Sequence, residues 1–300
     1  MRYNPRARLD TSQVENRRGG GGGGFPVGGG GGGLRVGGGI GGLVLLVAII
    51  LLSQLAGGGG DSAGQDSGAG SLDQCTTGAS ANQDPDCALV ADVNAIQSYW
   101  TDALPRQAGE AYTPARTTIF TGQVQTGCGA ASSSTGPFYC PVDKHVYLDT
   151  TFFHDMLEGE LGARGGPFSQ AYVLAHEYGH HVQDLLGTFG RVRSQQGAAS
   201  DAVRLELQAD CYAGIWTRFA TTAPDANGEP YILDLTEDDV ARALDAAAAV
   251  GDDRIQRRTS GRVDPDSWTH GSAEQRMRWF RTGLDKGTLR ACDTFSATRL

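Results

Sequence analysis

No cysteine stands before residue 75, and none of the six is spaced as a CxxC pair. That spacing argues against a zinc site built from cysteines. Positive charge is also short: 25 Lys and Arg face 34 Asp and Glu, for a net charge of −9. Phosphate binding needs a basic face, so no nucleic-acid partner is expected. The first quarter of the chain is poor in side chains that can build a core. The runs Gly19–Gly24, Gly28–Gly33 and Gly57–Gly60 hold many of the 45 glycines. Glycine loses the most backbone freedom on ordering and adds nothing to a core, so these runs read as flexible polymer. Mixed composition of domain length is confined to residues 73–300.

Charge is missing altogether from Val36 to Ala56, where Ile40–Leu52 is almost wholly apolar. The stretch is about 20 residues long, enough to span a bilayer as one helix. Six arginines (Arg2, Arg6, Arg8, Arg17, Arg18, Arg35) precede it against Asp10 and Glu15, and an acidic remainder follows. By the positive-inside rule the N-terminus is then cytoplasmic and the rest extracytoplasmic. The expected organisation is a basic, disordered head at 1–35, a transmembrane helix at 36–56, a Gly/Ser/Asp linker at 57–72 and one domain at 73–300, giving a single-pass protein of the cell membrane. The cysteines all follow the span, and an even number there suggests disulfides. Six cysteines allow many pairings, and the sequence does not choose among them. Proximity suggests Cys75–Cys87 and Cys128–Cys140, which leaves Cys211–Cys292.

Within the domain, apolar residues at helical spacing predict a helix over Asp86–Leu104, with Pro105 as its stop. Thr117–Gln125 is β-branched and reads as one strand, Cys128–Gly136 as a loop. Lys144–Asp149 alternates, with Val146 and Leu148 on one face, and reads as a half-buried strand. Phe168–Leu186 reads as a helix opened by Gly166-Pro167 and stopped by Gly187. Further helices are predicted from Ser200 to Ala220, from a capping box at Thr236 and Asp239 through Ala249, and from Ser272 to Gly283. Helix, short strands, then mostly helices define an α+β class with a small sheet.

The chemistry concentrates in His176-Glu177-Tyr178-Gly179-His180. Residues i and i+4 of a helix share a face, so both imidazoles can bind one ion. Glu177 reaches the edge of that face, where a base acting on a zinc-activated water belongs. A catalytic zinc needs a third protein ligand and an open fourth position. Glu206 on the next helix supplies that ligand, and Asp210, one turn on, can accept a hydrogen bond from a ligand histidine and fix its tautomer. Asp184, four residues past His180, is a second candidate for that supporting role. His181 points about 100° from His180 and reads as packing. His145 and His154 read as ordinary strand or surface residues. His270, just ahead of a helix, is a candidate donor to the oxyanion formed during catalysis.

The string His176–Asp184 followed by Glu206-Leu207-Gln208-Ala209-Asp210-Cys211-Tyr212-Ala213-Gly214 resembles the bacterial putative neutral zinc metallopeptidase family. So do Gly136–Pro141, Val146–Asp149, Ala247–Asp253 and Thr269–Arg276, and together the resemblance covers nearly all of 73–285. It implies a zincin-type fold, one Zn2+ and peptide hydrolysis. The Glu-x-x-Ala-Asp arrangement is also similar to that of the gluzincin peptidases, which implies Glu206 as the third ligand. In zincins a strand placed like Lys144–Asp149 often forms the edge that pairs with extended substrate. The expected function is thus a membrane-anchored zinc metallopeptidase acting on proteins or peptides at the membrane surface. Two alternatives stand beside it. A non-catalytic zinc-binding scaffold would not need Glu177, and a zinc hydrolase of a non-peptide cell-envelope amide would use the same residues.

Overall fold

A computed structural model describes residues 1–18 and 71–300. The expected α+β class holds, and its elements enclose one main core. The strands are β1 (Arg2–Tyr3), β2 (Val14–Asn16), β3 (Arg116–Phe120), β4 (Gln123–Thr126), β5 (Gly129–Ser132), β6 (Phe138–Cys140), β7 (His145–Asp149) and β8 (Ile232–Asp234). The principal helices are α1 (Pro85–Ala108), α2 (Pro167–Leu185), α3 (Asp201–Phe219), α4 (Glu237–Ala249), α5 (Asp252–Ser260) and α6 (Ala273–Lys286). A π-helical segment, Phe152–Glu160, links β7 to α2.

Four strands form the main sheet in the order β2-β3-β7-β6. β2, β3 and β7 run parallel, and β6 returns antiparallel to β7. This corrects the expected substrate edge, because β7 is paired on both sides and the outer strand is β6. The expected strand Thr117–Gln125 is broken at Gly122, whose φ of 84° turns the chain out of the sheet. β4 then pairs with β5 in a separate hairpin, so the expected loop Cys128–Gly136 contains a strand. Pro105 does not stop α1. The helix runs on to a left-handed Gly109, although the proline ring takes the usual N–H partner from the carbonyl of Thr101, an exposed residue.

The largest departure concerns the basic head. Residues 1–18 are not disordered but part of the domain. β1 pairs antiparallel with β8, and β2 adds to the edge of β3. Tyr3, Ala7 and Val14 are buried in the core, and the Tyr3 hydroxyl donates to Asp92 of α1 at 2.9 Å. A cytoplasmic head and an extracytoplasmic domain joined by one crossing would lie on opposite sides of a membrane. Their shared core overturns that single-pass topology. Among the described residues no helix is long and apolar enough to cross a membrane, and the expected span at 36–56 lies outside the described residues. The domain also reaches back into the expected linker, since Leu72 is buried. Three disulfides join Cys75 to Cys87, Cys128 to Cys140 and Cys211 to Cys292, the pairing that proximity suggested.

Candidate metal centre

Gly166, with φ 105°, and Pro167 at the first helical position open α2, and the helix is buried on almost every side. Gly179, inside the HExxH string, lets it approach α3: a Cβ there would stand 3.0 Å from the Ala209 carbonyl oxygen. That approach sets His176 and His180 opposite Glu206. The Ser200 side chain caps α3 by accepting from the Val203 N–H at 3.3 Å.

One atom from each of His176, His180 and Glu206 can be chosen so that all three lie within 4.8 Å of one another. His176 Nε2 is 3.2 Å from Glu206 Oε2, and His180 Nε2 is 3.4 Å from Glu206 Oε1. The Glu206 side chain is only 3 % exposed, and it lies between these two rings. Burial works against its ionisation, yet the charge of His180 and His270 and the bonds to both rings hold it well below the usual carboxylate range. Burial pulls the His176 imidazole down as well, but Asp210 and Glu206 outweigh it and push it up to about 10. Two imidazoles around a buried carboxylate, their local field favouring positive charge, form a donor set that fits a divalent cation such as zinc.

The supporting contacts are unequal. Asp210 accepts from His176 Nδ1 at 2.9 Å, from the Tyr172 hydroxyl at 2.6 Å and from Arg276 Nε and Nη2 at 2.8 and 2.9 Å. Burial opposes its charge, but Arg276 and His176 hold its carboxyl down at about 2. His180 Nδ1 finds Gln183 Oε1 at 2.8 Å. Asp184 does not join the site. It accepts from the Tyr139 hydroxyl, which also meets His181 Nδ1. His181 further bonds the Thr113 carbonyl oxygen at 2.6 Å and is fully buried, as its packing reading requires.

Glu177, His270 and Arg276 line the same cavity as the three candidate ligands. Its other wall is apolar and includes Phe138, Phe152, Val173, Leu205, Val250 and Ile255. Burial pushes the Glu177 carboxyl up from its ordinary value. His270 is set by Asp252 at the start of α5. Asp252 Oδ2 accepts from the N–H groups of Thr269, His270 and Gly271 at 2.7–2.9 Å, and its Oδ1 is 3.4 Å from His270 Nδ1. Gly271 takes the φ of 89° that this turn demands.

Arg276, Gln183, Tyr172 and Asp252 were not found by spacing arguments. Arg276, Asp252 and Gln183 do fall inside sequence blocks shared with the resembled family. Gln183 lies three residues past His180, a position on the same helix face.

An α+β domain that brings an HExxH helix and a glutamate from the next helix to one buried point holds a candidate metal centre. The chain belongs to the family described as putative neutral zinc metallopeptidase, whose model matches residues 1–295. That match takes in the N-terminal segment packed on the domain. The uncharacterized proteins Rv2575 of Mycobacterium tuberculosis and Mb2605 of Mycobacterium bovis are each 53% identical over 231 residues, covering 76% of this chain and 77% of theirs. The uncharacterized protein YpfJ of Escherichia coli is 46% identical over 193 residues, covering 62% of this chain and 63% of its own. No solved structure matches.

Proposed function

We propose that this protein is a zinc metallopeptidase that hydrolyses internal peptide bonds, with His176, His180 and Glu206 as metal ligands and Glu177 as the general base. The observation that carries the reading is the convergence of the three ligand atoms beside Glu177 and His270 in one cavity. Zinc bound there would lower the pKa of water toward neutrality and polarise a carbonyl. Glu177 takes the proton from the attacking water and returns it to the leaving amine. Asp210 accepts from His176 Nδ1, which keeps Nε2 free as a ligand atom. His270, aimed by Asp252, donates to the oxyanion.

An extended peptide suits the site better than a compact amide. β6 is the outer strand on the cavity side of the sheet, and Phe138 and Tyr139 on it line the cavity. Such an edge offers N–H and C=O groups to a substrate backbone, and the apolar wall offers room for its side chains.

Glu177→Gln tests the reading. We expect peptide hydrolysis to fall by at least about 100-fold while stoichiometric zinc is retained. Undiminished hydrolysis in this variant removes Glu177 as the base, and failure of the wild-type chain to bind zinc removes the centre itself.

A further inference from the structure

His180 begins a chain of buried amides that leads away from the cavity. Gln183 and Gln208 are 0% and 4% exposed, and neither touches the cavity. Gln183 Oε1 is 2.8 Å from His180 Nδ1, and its Nε2 donates to the Leu205 carbonyl at 2.8 Å and to Gln208 Oε1 at 3.1 Å. Gln208 Nε2 in turn donates to the Cys292 carbonyl at 3.0 Å. Cys292 is bonded covalently to Cys211, one turn beyond Gln208 on α3.

The polarity of this chain can be read from its far end. A backbone carbonyl only accepts, so the Cys292 and Leu205 oxygens fix both amides with their NH2 groups turned toward them. Gln208 Oε1 must then face Gln183, and Gln183 Oε1 must face His180. His180 Nδ1 is left as the donor, and its Nε2 is the ring atom turned to Glu206, 3.4 Å from Oε1.

We infer that Gln183 and Gln208 are positioning residues for the metal centre, forming a one-way relay from the disulfide-tethered Cys292 carbonyl that holds His180 in the tautomer able to ligate through Nε2. This rests on the metallopeptidase reading. It gives His180 the support that a carboxylate, Asp210, gives His176, and it makes metal retention depend on the Cys211–Cys292 bond. Gln183 is anchored twice, by Leu205 and by Gln208, so loss of Gln208 weakens the relay without abolishing it.

The test uses the full chain loaded with zinc. Affinity is measured by chelator competition, and the His180 Nδ1–H proton is followed by NMR, both well below the melting temperature. Gln183→Met should weaken zinc binding by about 10- to 100-fold and expose that proton to fast exchange with water. Gln208→Met, and separately the paired Cys211→Ala and Cys292→Ala changes, should move both readouts in the same direction by a smaller factor. A purely structural role would lower Tm in these variants and leave affinity and proton exchange as in the wild type, and that result overturns the inference. A wild-type chain that binds no zinc at the three ligands refutes the reading beneath it instead.

Discussion

Asp252 shows how much one side chain can organise. Its carboxylate gathers three successive backbone N–H groups and faces His270, all at a buried point. Burial opposes its charge, but His270 and the backbone donors outweigh it and hold its pKa below the ordinary value. A carboxylate lowered in this way stabilises the fold fully above the unfolded pKa of about 4, and that stabilisation fades as pH drops through the lower folded value. Asp252→Asn should therefore cost about 2–3 kcal/mol at neutral pH. The gap in Tm between variant and wild type should narrow as pH is taken from 7 toward 3, and a gap that stays constant would contradict an ionised Asp252. Sequence spacing made some residues legible at this scale and hid others. His176, His180, Glu206 and Asp210 are one helical turn apart in pairs, and their geometry follows from local periodicity. Asp252 and Arg276 reach the site from α5 and α6, which no local period predicts. Asp184 had the spacing expected of a partner for His180, but it turns to Tyr139, and Gln183 takes the place beside the ring.

Among elements, the packing of α3 on α6 carries the site, because α3 holds Glu206 and Asp210 while α6 holds Arg276. The two helices touch backbone to backbone at glycines. A Cβ on Gly283 would lie 1.9 Å from the Cys211 carbonyl oxygen, and one on Gly214 would lie 2.0 Å from that of Phe280. No rotamer relieves a clash with a carbonyl, so Gly283→Ala must push the helices apart. We expect a loss of about 3 kcal/mol or more, read as a lower denaturant midpoint. Gly190→Ala, whose Cβ would meet nothing within 4 Å, serves as the control and should stay within about 0.5 kcal/mol. Equal stability of the two variants would refute the close crossing. The helices themselves were readable, since their caps and stops are local: Gly166-Pro167, Ser200, Thr236 and Ser272 all sit at helix entrances. The sheet order was not. Whether β7 is an edge depends on β3 and β6, and whether β3 is one depends on β2, which comes from more than a hundred residues earlier in the chain.

For the whole molecule, the decisive feature is that residues 1–18 share one core with the described residues 71–300. Their arginines and short apolar positions read as a solvated head because only tertiary pairing reveals β1 and β2. Arg18 is ion-paired with Asp86 at the start of α1, Asp10 N–H donates to Asn94, and Tyr3 fills a place in the core. Asp92 depends on this segment most. It is 2% exposed, burial pushes its carboxyl well above the usual range, and the Tyr3 hydroxyl donates to it. Removing residues 1–18 would strip that donor from a buried carboxyl, uncover the edge of β3 and open the core at Tyr3, Ala7 and Val14. Loss of the tyrosine burial alone is worth about 2 kcal/mol, and the unpartnered Asp92 adds about 1–3. For a chain of this size that predicts a fall in Tm of about 10 °C or more. A fragment starting at residue 71 should melt early or fail to fold. Adding a synthetic peptide of residues 1–18 should restore part of the loss, because β1 and β2 dock by backbone pairing that needs no covalent link. If the fragment instead melts with the full chain, the segment is a decoration and the shared core described above is wrong.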